Sequence, residues 1–299
     1  MKGKLNIFLG KTLLYAIPVC LLFEALFRFG FYPVVSNSSL FDYKMTEVQK
    51  QHLGTVKVLA IGSSCGLYDL NSPLIVKDLS PSYYNFCSWG LQVSDIQLLL
   101  PQLVDRYKPK YVILCSSPWD FKGPPNETYG NYTSMPSFFR DHLPELFYFR
   151  PFSSIHQLAF RKWQGYHPPV DHWGGSPSSV PRDKAAWDKY YLFPTTYTPG
   201  AYAGLDSLCS WLQDQKIALI FAEMPFNLVY DNAPEARQLL AEHIEKCRAI
   251  VTARGGYFFN YHDPETFPDS TFLDQTHLEA ASAVIMTQKL TTDLKKIIK

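Results

Sequence analysis

The sequence lacks the spacings that mark most catalytic metals and redox pairs. Its six cysteines (Cys20, Cys65, Cys87, Cys115, Cys209, Cys247) include no C-x-x-C pair and no metal-ligand spacing, which argues against a cysteine zinc site. Cys87 and Cys115 end apolar runs, where a free thiol acts as a small hydrophobe, and no disulfide is assigned. There is no H-E-x-x-H. The stretch His167-Pro-Pro-Val-Asp171-His172-Trp173 reads as aromatic loop packing more simply than as a metal or glycan platform, and no cofactor is expected. Charge of one sign is missing too. With 28 Lys and Arg against 27 Asp and Glu, nothing argues for nucleic acid or an anionic surface as partner. No internal repeat is visible. Asn126 and Asn131 fit the N-x-[ST] pattern, but the bacterial style of the N-terminus leaves these positions without an assigned role.

What is present begins with an apolar run. Residues 5–23, LNIFLGKTLLYAIPVCLLF, are long enough to cross about 30 Å of hydrocarbon with only Lys11 inside. Lys2, Lys4 and Lys11 precede or open the run and Arg28 follows it, so the positive-inside bias puts the N-terminus in the cytoplasm and the rest outside. A cleaved signal would need a small-x-small site, and the chain continues FEALFRFGFY instead. Cys20 lacks the small residue expected before a lipidated cysteine. Residues 1–30 are therefore expected to be a retained transmembrane anchor and 31–53 a linker. The remaining 54–299 are expected to form one α/β domain.

That domain opens with VKVLAIG at 56–62, a continuous β-branched run of the kind buried on both faces of a parallel sheet. YVILC at 111–115 and IALIFA at 217–222 look alike, and helical patterns precede both, at 94–107 and around 202–215. Such alternation predicts a doubly wound parallel sheet flanked by helices, with ligands beyond the carboxyl ends of the strands. Residues 121–200 break the pattern with Pro, Gly, Trp and Tyr, and read as an insertion serving as a lid, a binding segment or a structural excursion. Aromatic residues make up 15% of the chain, which suits core filling and also a carbohydrate-facing cleft.

The chemistry-bearing residues fall at strand ends. Gly62-Ser63-Ser64-Cys65-Gly66 follows the first strand, where a tight strand-to-helix turn presents a nucleophile and helix amides face developing negative charge. A serine-rich helix cap is the other reading. The five residues also match the G-x-S-x-G elbow of α/β-hydrolases. Against that fold stand the position after the first strand, the absence of an HGGG-like segment, and an acid and base only three residues apart. These are Asp274 and His277 in FLDQTHLEAASAVIMTQKL, read as the opening of an amphipathic helix. At that spacing a carboxylate can hold the imidazole tautomer while the other nitrogen takes a serine proton; a capping Asp beside a surface His is the alternative.

Taken together, Gly62-Ser63-Ser64 after the first strand and Asp274-x-x-His277-Leu278 before the last helix resemble the SGNH (GDSL-like) hydrolase superfamily. Serine in place of the usual Asp before the nucleophile resembles membrane-anchored members of the D-alanyl transfer and alginate O-acetylation type. The resemblance implies a flavodoxin-like fold, a Ser64-His277-Asp274 triad and ester or acyl-transfer chemistry on an acylated glycan or polymer. A membrane acyl-donating protein is the implied partner. It also implies an oxyanion hole from the Ser64 and Gly90 amides, with Gly90 closing the block Tyr84-Asn-Phe-Cys-Ser-Trp-Gly; a turn glycine is the other reading. The family's third donor, an Asn after the next strand, has no counterpart in Ser116-Ser117-Pro118-Trp119-Asp120. A glycan-binding or assembly protein that kept the fold without catalysis is therefore the rival class, and a secreted lipase with a cleaved leader a third. Glu223 and Asn227, at another strand end, read as caps or as substrate contacts.

Overall fold

The computed structural model describes residues 2–28, 31–33, 38–123, 160–162, 170–177, 199–227 and 234–298. Two compact units are distinguished, one formed by Met1–Leu53 with Gly130–His167, the other by Gly54–Tyr129 with Pro168–Lys299. In the first, helix α1 (Lys2–Arg28) contains the apolar segment Gly3–Leu22, with mean hydropathy 1.8 and none of it buried, which is long and apolar enough to cross a membrane. Phe31–Pro33 pairs antiparallel with Phe160–Lys162. Helix α2 (Ser39–Lys50) follows, with Leu40, Phe41, Met45 and Val48 buried. The stretch read as a linker thus contains a helix with an apolar face. Its scattered polar residues hide that face unless the sequence is read at a period of 3.6.

The second unit is built on five parallel strands: β1 (Val58–Gly62), β2 (Tyr83–Asn85), β3 (Tyr111–Ser116), β4 (Ala218–Glu223) and β5 (Tyr257–Asn260). Their order in the sheet is β2-β1-β3-β4-β5, every pair parallel. The doubly wound parallel sheet read from the sequence is observed. Residues 58–62 are all buried, as are 112–116 and 219–223, which is why these strands read as unbroken apolar runs rather than alternating ones. β5 lies at the edge with exposed ends, and YFFN carries too weak a pattern to stand out.

Helices α3 (Ser64–Tyr68), α4 (Ser72–Asp78), α5 (Val93–Tyr107), α6 (Pro199–Asp214), α7 (Pro234–Ala253) and α8 (Ala280–Leu294) flank the sheet. α5, α6 and α7 pack in succession, and α4 packs on α8. The chain leaves β1 for β2 on one side and then places β3 on the other. The strand order therefore reverses at β1, which opens a crevice at the carboxyl ends of β1 and β3. Ser64 stands at that crevice.

Candidate active site

Gly62 ends β1 directly opposite Cys115 of β3, and a Cβ placed on it would lie 2.0 Å from the Cys115 carbonyl oxygen. Only glycine permits that approach. A Cβ on Gly66 would meet Cys87 Sγ at 2.5 Å, so of the two glycines of the G-x-S-x-G pattern the first lets β1 approach β3 and the second lets α3 pack closely on the sheet. Ser64 is the first residue of α3, after Ser63 as N-cap. Among the described non-glycine residues only His52, Lys108 and Lys216 have positive φ, so the serine does not sit in the strained turn of an α/β-hydrolase elbow. α3 is five residues long, and what it offers the crevice is individual amides rather than a long macrodipole.

Asp274 and His277 do not open a helix. α8 begins at Ala280 with Glu279 as its cap, and Leu278 forms an antiparallel bridge with Phe272. The pair lies in the intervening turn because the Asp274 side chain organises it: Oδ1 accepts from the amides of Thr276 (2.9 Å) and His277 (3.0 Å). This Asx-type turn competes successfully with helix initiation. Oδ2 accepts from His277 Nδ1–H at 2.7 Å. With its proton on Nδ1, the ring presents Nε2 as an acceptor, and Ser64 Oγ–H donates to it at 2.8 Å. Three residues 213 positions apart at their extremes thus form one continuous chain. The Thr276 hydroxyl lies 3.5 Å from the same Nε2.

Burial pushes the Asp274 carboxyl up, but the His277 hydrogen bond and charge and the two amides outweigh it, and its pKa lies below the ordinary value. It stays ionised where an imidazole can work. The neighbouring Cys65 is buried, and burial together with Asp120 and Asp69 pushes its thiol well up. Cys115 is raised by its hydrogen bond with Cys87 and by burial. These thiols are core groups, which leaves Ser64 as the nucleophile candidate of the turn.

Four positioning contacts were not legible in the sequence. Asp69, fully buried, accepts the Leu278 amide at 2.8 Å and so ties the end of α3 to the residue after His277. Burial raises its pKa well above the usual carboxylate range, and its Oδ2 has no hydrogen-bond partner. Asp69→Asn keeps an Oδ1 that can accept the Leu278 amide and is expected to keep near wild-type stability. Asp69→Ala strands the Leu278 amide and is expected to cost about 1–3 kcal/mol in denaturant unfolding.

Asp120, absent from the expected oxyanion set, sits behind the turn that carries Ser64. Its Oδ2 accepts from Ser63 Oγ (3.0 Å), Ser117 N (2.8 Å), Ser117 Oγ (3.2 Å) and Ser116 Oγ (3.4 Å). The hydroxyls near the missing Asn therefore point at Asp120 and replace no oxyanion donor. Burial drives its pKa up to about 7, against the hydrogen bonds of Ser117 and Ser63. The folded state then binds this proton more tightly than the unfolded chain. Its contribution to stability is fully present below about pH 4 and is lost as pH rises towards 7, by up to about 4 kcal/mol. Unfolding of the full chain at pH 5 and pH 8 should accordingly show Asp120→Asn gaining stability relative to wild type at the higher pH; a constant difference contradicts the assignment.

The other two contacts are aromatic. The Tyr68 ring meets His277 edge to face at 4.9 Å, and Trp89 Nε1–H donates to the Tyr68 hydroxyl at 2.7 Å. Gly90, the next residue, is exposed with φ +63. The block before it runs alongside β1, Phe86 N donating to Ala60 O and Ser88 N to Gly62 O, so the Gly90 turn lies just past the strand that carries Ser64.

The chain resembles known structures in its fold. A protein from Bacteroides fragilis assigned as an acylhydrolase is 11% identical, with 87% of this chain and 98% of that one covered at a TM-score of 0.47. An acetyl-xylooligosaccharide esterase from Geobacillus stearothermophilus is 14% identical over 81% of this chain and 95% of its own, at 0.43. A lipolytic protein of the G-D-S-L family from Desulfitobacterium hafniense is 10% identical over 80% and 99%, also at 0.43. The likeness is one of fold. No protein-family profile matches the chain, and no curated protein is similar to it in sequence. The site's chemistry stands on its own geometry.

Of the remaining sequence candidates, Glu223 and Asn227 are fully buried. Glu223 lies 3.4 Å from His243 Nε2, and the Asn227 amide donates to the Gln275 carbonyl, which braces the Asp274 turn from the end of β4. Neither side chain faces solvent. His172 is exposed beside Trp173, in a short segment whose Ser176 amide donates to Leu67 O at 2.9 Å on α3. His142, His156 and His167, and most of the 121–200 insertion, lie outside the described residues.

Proposed function

We propose that the protein is a serine esterase or O-acyltransferase in which Ser64 is the nucleophile, His277 the general base and Asp274 its orienting carboxylate. The observation that carries this reading is the Ser64–His277–Asp274 chain, at 2.8 and 2.7 Å, within the ~2.6–3.2 Å over which a base can take a proton. Ser64 Oγ attacks the carbonyl carbon of an acyl ester while its proton passes to His277 Nε2. The amides of Ser64 and Gly90 receive the oxyanion. As the tetrahedral intermediate collapses, His277 returns the proton to the leaving alkoxide, and an alcohol departs from an acyl-enzyme. Water, or the hydroxyl of a sugar or polymer, then gives up a proton to His277 and takes the acyl group by the same steps reversed.

The envelope setting rests on the resemblance and on α1. With α1 as a span and its lysines inside, the domain stands extracytoplasmic, where acylated glycans are substrate and a membrane acyl donor is partner. Two oxyanion donors in place of three predict slow turnover, about 10²–10³-fold below a complete hole. The absent third donor also favours a second reading, a glycan-binding protein without catalysis. Incubating the full chain with p-nitrophenyl acetate and with acetylated xylo-oligosaccharides, with and without a sugar acceptor, separates them. Acid release, or acyl transfer to the acceptor, supports ester chemistry; folded protein that releases and transfers nothing from either ester supports the silent reading.

A further inference from the structure

Gly90 is poorly held by its own surroundings. It occupies the left-handed region, is exposed, and an added Cβ would meet nothing within 4 Å. An oxyanion donor must nevertheless stay within a few tenths of an ångström of its place. The loop is pinned before Gly90 by Ser88 N on Gly62 O (2.9 Å) and after it by Gln92 N on Asp95 Oδ2 (3.0 Å). Between these, the Trp89 indole N–H donates to the Tyr68 hydroxyl at 2.7 Å, a side-chain anchor towards the nucleophile helix. Tyr68 follows Ser64 by four residues on α3 and so shares its face. Its ring in turn lies edge to face on His277, with centroids 4.9 Å apart and planes at 74°.

We propose that Tyr68 and Trp89 are a positioning couple that holds the Gly90 loop and the His277 ring in one register with Ser64. This rests on the esterase reading above. Tyr68 acts on the base through its ring and on the oxyanion loop through its hydroxyl, while Trp89 acts on the loop alone. The two functions are separable, because phenylalanine at position 68 keeps the ring contact and loses the acceptor.

The test uses the full chain with Tyr68→Phe, Trp89→Phe, their double variant and Tyr68→Leu. Both Phe singles break one hydrogen bond, so each is expected to lower kcat for p-nitrophenyl acetate about 10-fold with KM within about twofold of wild type. The double is expected to fall no more than about twofold below the worse single, since both remove the same bond. Singles within twofold of wild type, or effects that multiply in the double, overturn the loop half of the proposal. A packing role alone would lower the unfolding temperature and leave kcat unchanged well below it, which also overturns it. The downfield His277 Nδ1 proton resonance is read without any ester. It is expected to persist in Tyr68→Phe and to broaden by faster exchange in Tyr68→Leu; an unchanged resonance in Tyr68→Leu overturns the base half. A wild type that shows this resonance but turns over no ester sinks the esterase reading, and the resonance still decides the base half of the couple.

Discussion

Asp274→Asn is expected to lower kcat by about 10⁴-fold with little change in KM or unfolding temperature. The asparagine can keep the local turn, because its Oδ1 still accepts the Thr276 and His277 amides that Asp274 holds at 2.9 and 3.0 Å. The other arm of the side chain, which accepts His277 Nδ1–H at 2.7 Å, then becomes an NH2 donor. A donor facing Nδ1 drives the ring proton to Nε2, and Nε2 can no longer accept from Ser64 Oγ. The serine loses its base while every fold contact survives. Steady-state kinetics beside a thermal melt reads this directly, and a loss of less than tenfold would mean that the carboxylate does not set the tautomer. Because the pKa of Asp274 is held below the ordinary carboxylate value by its bonds to His277 and the Thr276 amide, the acid limb of the wild-type profile should not be set by this residue.

Gly62→Ala is expected to be the most destabilising single-methyl change at the site. The new Cβ would sit 2.0 Å from the Cys115 carbonyl oxygen and 2.9 Å from its carbonyl carbon. These are backbone atoms of a central strand that no rotamer change can move. β3 must shift away from β1 at the register pair Gly62–Cys115, with β4 on its other side. A cost of about 3 kcal/mol or more follows, and chemical unfolding or the yield of folded protein measures it. Gly90→Ala is the contrast: it has open space around it and a backbone φ of +63. The strain there is about 1–2 kcal/mol, so its main expected consequence is on the oxyanion loop.

These two positions also show what the sequence discloses. β1, β3 and β4 are readable because strands buried on both faces spell continuous apolar runs, and the glycine after the first of them already marks a turn. The proposed acid and base are readable as a spacing, Asp274-x-x-His277. Their local structure is not, because the Asx-type turn and the Phe272–Leu278 bridge depend on side-chain hydrogen bonds that imitate a helix start in sequence. The hold of Asp120 on Ser63 spans 57 positions and exists only because β1 and β3 are neighbours in the sheet. The Trp89–Tyr68 bond, 21 positions long, depends in the same way on β2 pairing with β1. Contacts made by sheet order carry no local signature, and sheet order is what one sequence discloses least. Helix α2 is hidden for a different reason: its four buried apolar residues are diluted by polar neighbours, and its cap Ser38, whose Oγ accepts the Phe41 amide, stands in a Ser/Asn-rich stretch that reads equally well as a turn.

On the proposed mechanism Ser64 is a nucleophile primed by His277 and Asp274. Treating the folded full chain with a fluorophosphonate and mapping the adduct by mass spectrometry tests it most directly. One adduct is expected, on the peptide containing Ser64, absent from Ser64→Ala and strongly slowed in His277→Ala. An adduct on another residue, equal labelling of Ser64→Ala, or no labelling of folded wild-type protein contradicts it.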